Sequence, residues 1–175
     1  MPLQISQFPV QDVVREVMEE LQGVIAQSTS AVDVHLAPDL PRLKSDRQKL
    51  KQILVNLLSN ALKYTKEGLV EIHATHDAAR GRIALSVRDT GVGIAPEDHT
   101  RIFEPFQQAK RVITRPQGGT GLGLAISRRL AQMLGGDIRV ESQLGAGSTF
   151  TVVFPVRVRT RAPHFRSDDS RRQSA

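Results

Sequence analysis

The sequence predicts a two-layer α/β sandwich, with three main helices covering one face of a mixed, five-stranded sheet. Three stretches carry apolar residues at helical spacing, and several short stretches alternate apolar and polar residues as strands do. Their order along the chain is helix, strand, helix, hairpin, loop, helix, hairpin, which suits helices laid over a sheet.

Val10, Val13, Val14, Val17, Leu21, Val24 and Ile25 define a first helix over 10–27, with Asp12, Glu16, Glu19 and Glu20 on its outer side. Val32 to Leu36 alternates as a short strand. Pro38 and Pro41 make a loop, and Ser45-Asp46 offers a helix N-cap. From Arg47 to Tyr64 the apolar period is helical again, through Leu50, Ile53, Leu54, Leu57, Leu58 and Ala61. Val70, Ile72 and Ala74 form one strand of a hairpin that turns at Arg80-Gly81, and Ile83, Leu85 and Val87 form the other. A helix over 122–134 stops at Gly135-Gly136. Ile138 and Val140, then Phe150, Val152 and Phe154, make a last hairpin turning at Gly145-Ala146-Gly147.

At 175 residues, 39% hydrophobic and 24% charged, the chain can bury one real core. The absence of cysteine excludes disulfides, thiolate chemistry and Cys-based zinc sites, and fits a reducing compartment. No apolar run approaches a membrane span, and MPLQISQFPV lacks a secretory pattern. The net charge of +6 is uneven: from Val156 onward six Arg face Asp168 and Asp169, a net of +4, leaving +2 for the rest. A domain over 1–156 and a basic, disordered tail over 157–175 are therefore expected. The tail alone speaks for nucleic acid, and without interleaved aromatic residues it speaks weakly, so no nucleic-acid partner is expected.

Polar residues interrupt the apolar pattern at informative places. Gly118, Gly119, Gly121 and Gly123 put four glycines in six positions directly before a helix, a loop that suits phosphate or makes a plain turn. Its spacing is neither G-x-x-x-x-G-K-[ST] nor G-x-G-x-x-G. Asn56 and Asn60 share one face of the long helix, as a polar rim or as neutral oxygen ligands at a metal–phosphate group, with Lys63 and Tyr64 in the next turn. The period of two turns Asp89 toward the core with Ile83, Leu85 and Val87. There it either accepts from neighbouring backbone N–H groups or reads a ligand's exocyclic amine. Thr90-Gly91-Val92-Gly93-Ile94 then brings backbone close to the same spot. Between Phe103 and Gly118 no period appears, and Lys110, Arg111 and Arg115 supply cations suited to polyphosphate.

NLLSNALKYT (56–65), DTGVGI (89–94), FEPF (103–106) and GGTGLGLAI (118–126) resemble, in order, four sequence boxes of one known domain. These are the N box, first glycine box, F box and second glycine box of the ATP-binding catalytic domain of two-component sensor histidine kinases. GAGSTFTVVFP is similar to that domain's closing hairpin. The resemblance spans about 8–155 and implies the Bergerat fold shared with gyrase, MutL and heat-shock chaperones. It further implies Mg-ATP as ligand. Asn60 would hold Mg²⁺, Asn56 would assist at the metal–phosphate site, Lys63 would contact phosphate and Tyr64 would pack beside the nucleotide. Asp89 would accept from the adenine amino group, with Gly91, Gly93 and Ile94 closing on the base. Gly119, Thr120, Gly121, Leu122 and Gly123 would cradle the phosphates, Arg115 would meet the γ-phosphate, and Thr149 would line the base pocket. Pro116-Gln117 departs from the aromatic-containing lid sequence usual in the family.

The family's phosphoacceptor histidine lies on a dimerisation helix, and none of His35, His73, His76, His99 or His164 has that context; all five read as surface or edge histidines. The resemblance thus implies a kinase half that donates to a histidine elsewhere. Its expected partners are a dimerisation/phosphoacceptor domain and a response-regulator receiver domain. No membrane contact by this segment is expected, and a cytoplasmic location is, including as the cytoplasmic part of a membrane sensor kinase. The alternative is an ATP-hydrolysing conformational switch. Hydrolytic relatives place a Glu base four residues before the metal Asn, and here that position is Asn56, which cannot take a proton near neutral pH.

Overall fold

The computed structural model describes residues 2–106 and 121–160. The chain forms β1 (Ile5–Phe8), α1 (Val10–Glu20), α2 (Gln22–Gln27), β2 (Ala31–Leu36), β3 (Leu43–Asp46) and α3 (Arg47–Tyr64). It continues through β4 (Leu69–Asp77), β5 (Arg82–Asp89), α4 (Gly123–Met133), β6 (Asp137–Gln143) and β7 (Gly147–Pro155). Single 3₁₀ turns at Pro96–Asp98 and Arg101–Phe103 follow β5.

Five strands form a mixed sheet in the order β2-β4-β5-β7-β6, in which only β2 and β4 run parallel. The expected sandwich is therefore the observed one. Val70, Ile72 and Ala74 on β4, Ile83, Leu85 and Val87 on β5, and Val152 and Phe154 on β7 are buried on one face. Against them pack Leu50, Ile53, Leu54, Leu57 and Leu58 of α3, none more than 1% exposed. Each such side chain contributes roughly 1.5–3 kcal/mol on burial. Packing rather than helix propensity thus fixes α3, which explains why it tolerates two Asn residues.

Asp46 caps α3 as expected: its Oδ1 accepts from Lys49 N–H at 3.1 Å and its Oδ2 from Gln4 N–H at 2.8 Å. The second bond comes from a feature the periodicity did not show. β1 and β3 pair antiparallel as a separate two-stranded sheet, each four residues long, too short to establish an alternation.

One expectation is corrected. The first helix is not continuous over 10–27. Leu21 leaves helical geometry at φ −93°, ψ 8° with its side chain buried, and the chain resumes as α2 with no fully buried residue. Backbone pairing also continues past residue 156, where the composition placed the tail. Arg157 bridges to Lys44, Val158 N–H donates to Lys44 O at 2.9 Å, and Val158 is only 9% exposed. A strand beside an apolar side chain extends the pairing to two residues that composition assigned to the tail.

Candidate functional site

Asp89 ends β5 with its carboxylate turned inward and 6% exposed, as the alternation requires. Burial pushes its pKa up. The N–H groups of Gly91 and Ser148 and the nearby Thr65 hydroxyl pull the other way without overcoming it. Oδ1 accepts from Gly91 N–H at 2.9 Å. Thr65 Oγ1 is buried beside this group. A buried carboxylate with a hydroxyl at its side fits a ligand that donates to the carboxylate.

The turn after Asp89 can pack this closely because glycine stands where it does. A Cβ on Gly91 would lie 2.4 Å from Tyr64 O, 2.8 Å from Asp89 Oδ1 and 2.9 Å from Thr65 Oγ1. Gly93 has φ +71°, and a Cβ there would meet Gln143 O at 2.0 Å. The turn is pinned from both sides. Val92 N–H donates to Tyr64 O at 3.4 Å, Gly145 N–H donates to Val92 O at 2.8 Å, and Ile94 N–H donates to Ser142 Oγ at 2.7 Å.

Ser142 Oγ also donates to Gly147 O at 3.0 Å and lies 2.7 Å from Ser148 Oγ. Ser148 is the register partner of Asp89 and is 7% exposed on the same face. Thr149 pairs with exposed Arg88 instead and so stands on the opposite face of the sheet. The resemblance names Thr149 for the base pocket, and the residue of this pair that shares the face of Asp89 is Ser148. Parity could have found it, because Ser148 stands two residues before inward-facing Phe150. Thr65 carried no such signal, since it lies just past the helical period.

On α3, Asn56 and Asn60 share one half-exposed stripe. The Asn56 amide donates to Gly123 O at 3.2 Å and to Ser127 Oγ at 3.0 Å, while its Oδ1 accepts from Gln52 Nε2 at 3.0 Å. It thus ties α3 to the first turn of α4. Asn60 makes no side-chain hydrogen bond to another described residue, so its oxygen remains a hard donor suited to Mg²⁺. One turn on, Lys63 Nζ lies 5.3 Å from the centre of the Tyr64 ring.

Gly121, with φ +68°, and Leu122 lead into α4, whose first-turn N–H groups have no intrahelical acceptor. Asn56 stands beside the first turn of this 11-residue helix. Gly121 O accepts from Phe106 N–H at 3.1 Å, joining the FEPF segment to the start of α4. Lys110, Arg111, Arg115, Gly118, Gly119 and Thr120 lie outside the described residues. The structure therefore brings together Asp89, Gly91, Gly93 and Ile94 at one place and Asn56 with Gly123 at another, both along α3.

The family described as histidine kinase-, DNA gyrase B- and HSP90-like ATPase matches residues 45–158. The sensor histidine kinase AruS of Pseudomonas aeruginosa is 42% identical over 147 residues, 82% of this chain and 15% of its own length. The sensor histidine kinase RcsC of Escherichia coli is 37% identical over 151 residues, 86% of this chain and 16% of its own. Full-length ShkA, solved in complex with AMPPNP, matches with a TM-score of 0.79 at 34% identity, over 89% of this chain and 32% of that one. The nucleotide-free catalytic domain of the histidine kinase ThkA matches with a TM-score of 0.77 at 27% identity, over 89% and 97%. The chain thus spans a small fraction of its curated relatives and nearly all of an isolated catalytic domain.

Proposed function

Because the chain belongs to the histidine kinase-, DNA gyrase B- and HSP90-like ATPase family, we propose that it is the ATP-binding catalytic half of a sensor histidine kinase. In this reading it donates the γ-phosphoryl group to a histidine on a dimerisation helix outside this chain. A response-regulator receiver domain then takes the phosphoryl group. ATP as donor sets the reaction in the cytoplasm.

Asp89 accepts from the adenine amino group, Thr65 and Ser148 share that pocket, and Gly91, Gly93 and Ile94 hold backbone against the base. Asn60 and Lys63 face the phosphates, with Tyr64 beside the nucleotide and Gly121, Leu122 and Gly123 presenting N–H groups at the start of α4. Arg115, Gly119 and Thr120 complete the phosphate contacts in this reading. Asn60 would hold Mg²⁺, which would supply charge neutralisation at the phosphates. The chain's own contribution is positioning and charge stabilisation, which dominate phosphoryl transfer.

The observation that favours transfer over hydrolysis is Asn56. It is an amide, not basic near neutral pH, so it cannot take a proton from water, and its N–H groups are engaged by Gly123 and Ser127. An imidazole brings its own lone pair and needs no such base. The test is incubation of this chain with γ-labelled ATP and a separately made dimerisation helix pair. Acid-labile, base-stable label on the added histidine is expected. Its absence with a helix that a full-length kinase does phosphorylate would overturn the reading.

A further inference from the structure

On the sheet face away from the helices, β4 presents Glu71 and His73 between buried Val70, Ile72 and Ala74. His35 on β2 is the register partner of His73. The two imidazoles stack with ring centres 4.8 Å apart and planes 20° from parallel. Glu71 Oε1 lies 3.5 Å from His35 Nε2 and 3.8 Å from His73 Nε2. Its other oxygen, Oε2, faces Arg88 Nη1 at 3.6 Å across the β4–β5 ladder. Arg88 thus engages one carboxylate oxygen and leaves the other aimed at both rings.

We propose that His35, Glu71 and His73 form a surface site for one divalent transition-metal ion of the zinc class, clamping edge strand β2 to β4. The donor set is two imidazole nitrogens and one carboxylate oxygen, the ligand types such an ion prefers. Ligand atoms around a tetrahedral Zn²⁺ with bonds of about 2.0–2.2 Å stand roughly 3.3 Å apart. The three here lie within 4.8 Å of one another, so small side-chain rotations close the site. Glu71 is the anchor, with its side chain 16% exposed, while His35 and His73 are 52% and 39% exposed and keep a fourth position open to water. Arg88 acts as the outer partner that orients the carboxylate.

The structural consequence is specific. Among the described residues, β2 is an edge strand held to the sheet by β4 alone. A metal bridging His35 to Glu71 and His73 adds a cross-link over that single ladder. Mg²⁺ does not substitute, because it takes all-oxygen, octahedral sites. The site lies on the face opposite Asp89 and is independent of the nucleotide reading.

The experiment is calorimetric titration of the whole chain, stripped with chelator, with Zn²⁺, together with thermal melting and the visible spectrum of the Co²⁺-loaded protein. One Zn²⁺ per chain is expected, with a rise in Tm of about 5–10 °C at a hundredfold excess over Kd and none with Mg²⁺. Co²⁺ should give the strong visible bands of a four-coordinate site. His35→Ala and His73→Ala should each weaken Zn²⁺ binding at least about tenfold, no less than the loss of an outer-shell partner does. In zinc-free buffer both should melt like the parent, since both side chains are solvent-accessible. Glu71→Gln should also weaken Zn²⁺ binding at least about tenfold, and His76→Ala should bind as the parent does. Absence of saturable Zn²⁺ binding, or equal binding by the His35 and His73 variants, overturns the proposal.

Discussion

Asp89 on β5 and Ser148 on β7 are direct register partners, both buried on the helix-covered face of the sheet. The next residue, Thr149, points to the other face. Filling the space beside the carboxylate with Ser148→Val should therefore weaken ATP binding about tenfold, the loss of one polar contact with some crowding. Thr149→Val should leave affinity within about twofold, a loss below the net worth of one hydrogen bond. Calorimetry with ATP separates the two, and equal effects would move the base pocket away from Ser148.

Asp89→Asn should lower ATP affinity at least about tenfold, as expected for one charge-assisted hydrogen bond of about 1.5–3 kcal/mol. The same change should not destabilise the nucleotide-free chain at neutral pH. Burial raises this carboxyl above its ordinary value of 3.8, so the native state holds its proton more tightly than the unfolded chain does. Ionising it costs stability, a cost that grows as pH rises from 3.8 to the raised native value and is constant above it. The Asn variant lacks that cost. Melting curves across pH should show the parent losing stability relative to the variant over that window. A variant clearly less stable at pH 7 would make Asp89 a structural residue.

Asp46→Ala should destabilise without touching the pocket. It removes the α3 N-cap and leaves Gln4 N–H unpaired, costing about 1–2 kcal/mol, or about 2–8 °C in Tm for a chain of this size. Burial pushes the Asp46 pKa up, but the N–H groups of Gln4 and Lys49 and the Lys49 ammonium more than reverse this and hold it below 3.8. That contribution is present above 3.8 and is lost as pH falls through the lowered native value. An unchanged Tm at pH 7 would show that neither bond contributes.

Asn60→Ala should reduce ATP affinity more in the presence of Mg²⁺ than in its absence. Its oxygen serves the metal, and no described residue depends on it. Parallel titrations with and without Mg²⁺ read the difference. Equal losses would make Asn60 structural.

Much of this architecture was legible because the core repeats its signals. Alternation in β5 gave the inward turn of Asp89, and the Leu and Ile period gave α3 with both Asn residues on one stripe. The parts that were not legible have local causes. β1 and β3 are four residues each, below the length at which a period of two stands out. The break at Leu21 falls inside an unbroken apolar period, and the pairing of Val158 depends on Lys44, far away in sequence. Thr149 is named by the resemblance alone, whereas the parity of Phe150 puts Ser148 on the face of Asp89. The engagement of Asn56 with Gly123 and Ser127 joins residues at least 67 positions apart and could come only from the fold.

The most direct test of a pocket that binds ATP without a base to hydrolyse it follows nucleotide and phosphate on the chain alone. A fluorescent ATP analogue should bind and be displaced by ATP and by ADP in Mg²⁺. Over the same period, phosphate release should not exceed that of the Asp89→Asn variant, and no label from γ-labelled ATP should stay on the protein. Rapid phosphate release by the parent that disappears in the Asp89 variant would contradict the account and mark a hydrolysing switch. Label on any of its five histidines would contradict it as well.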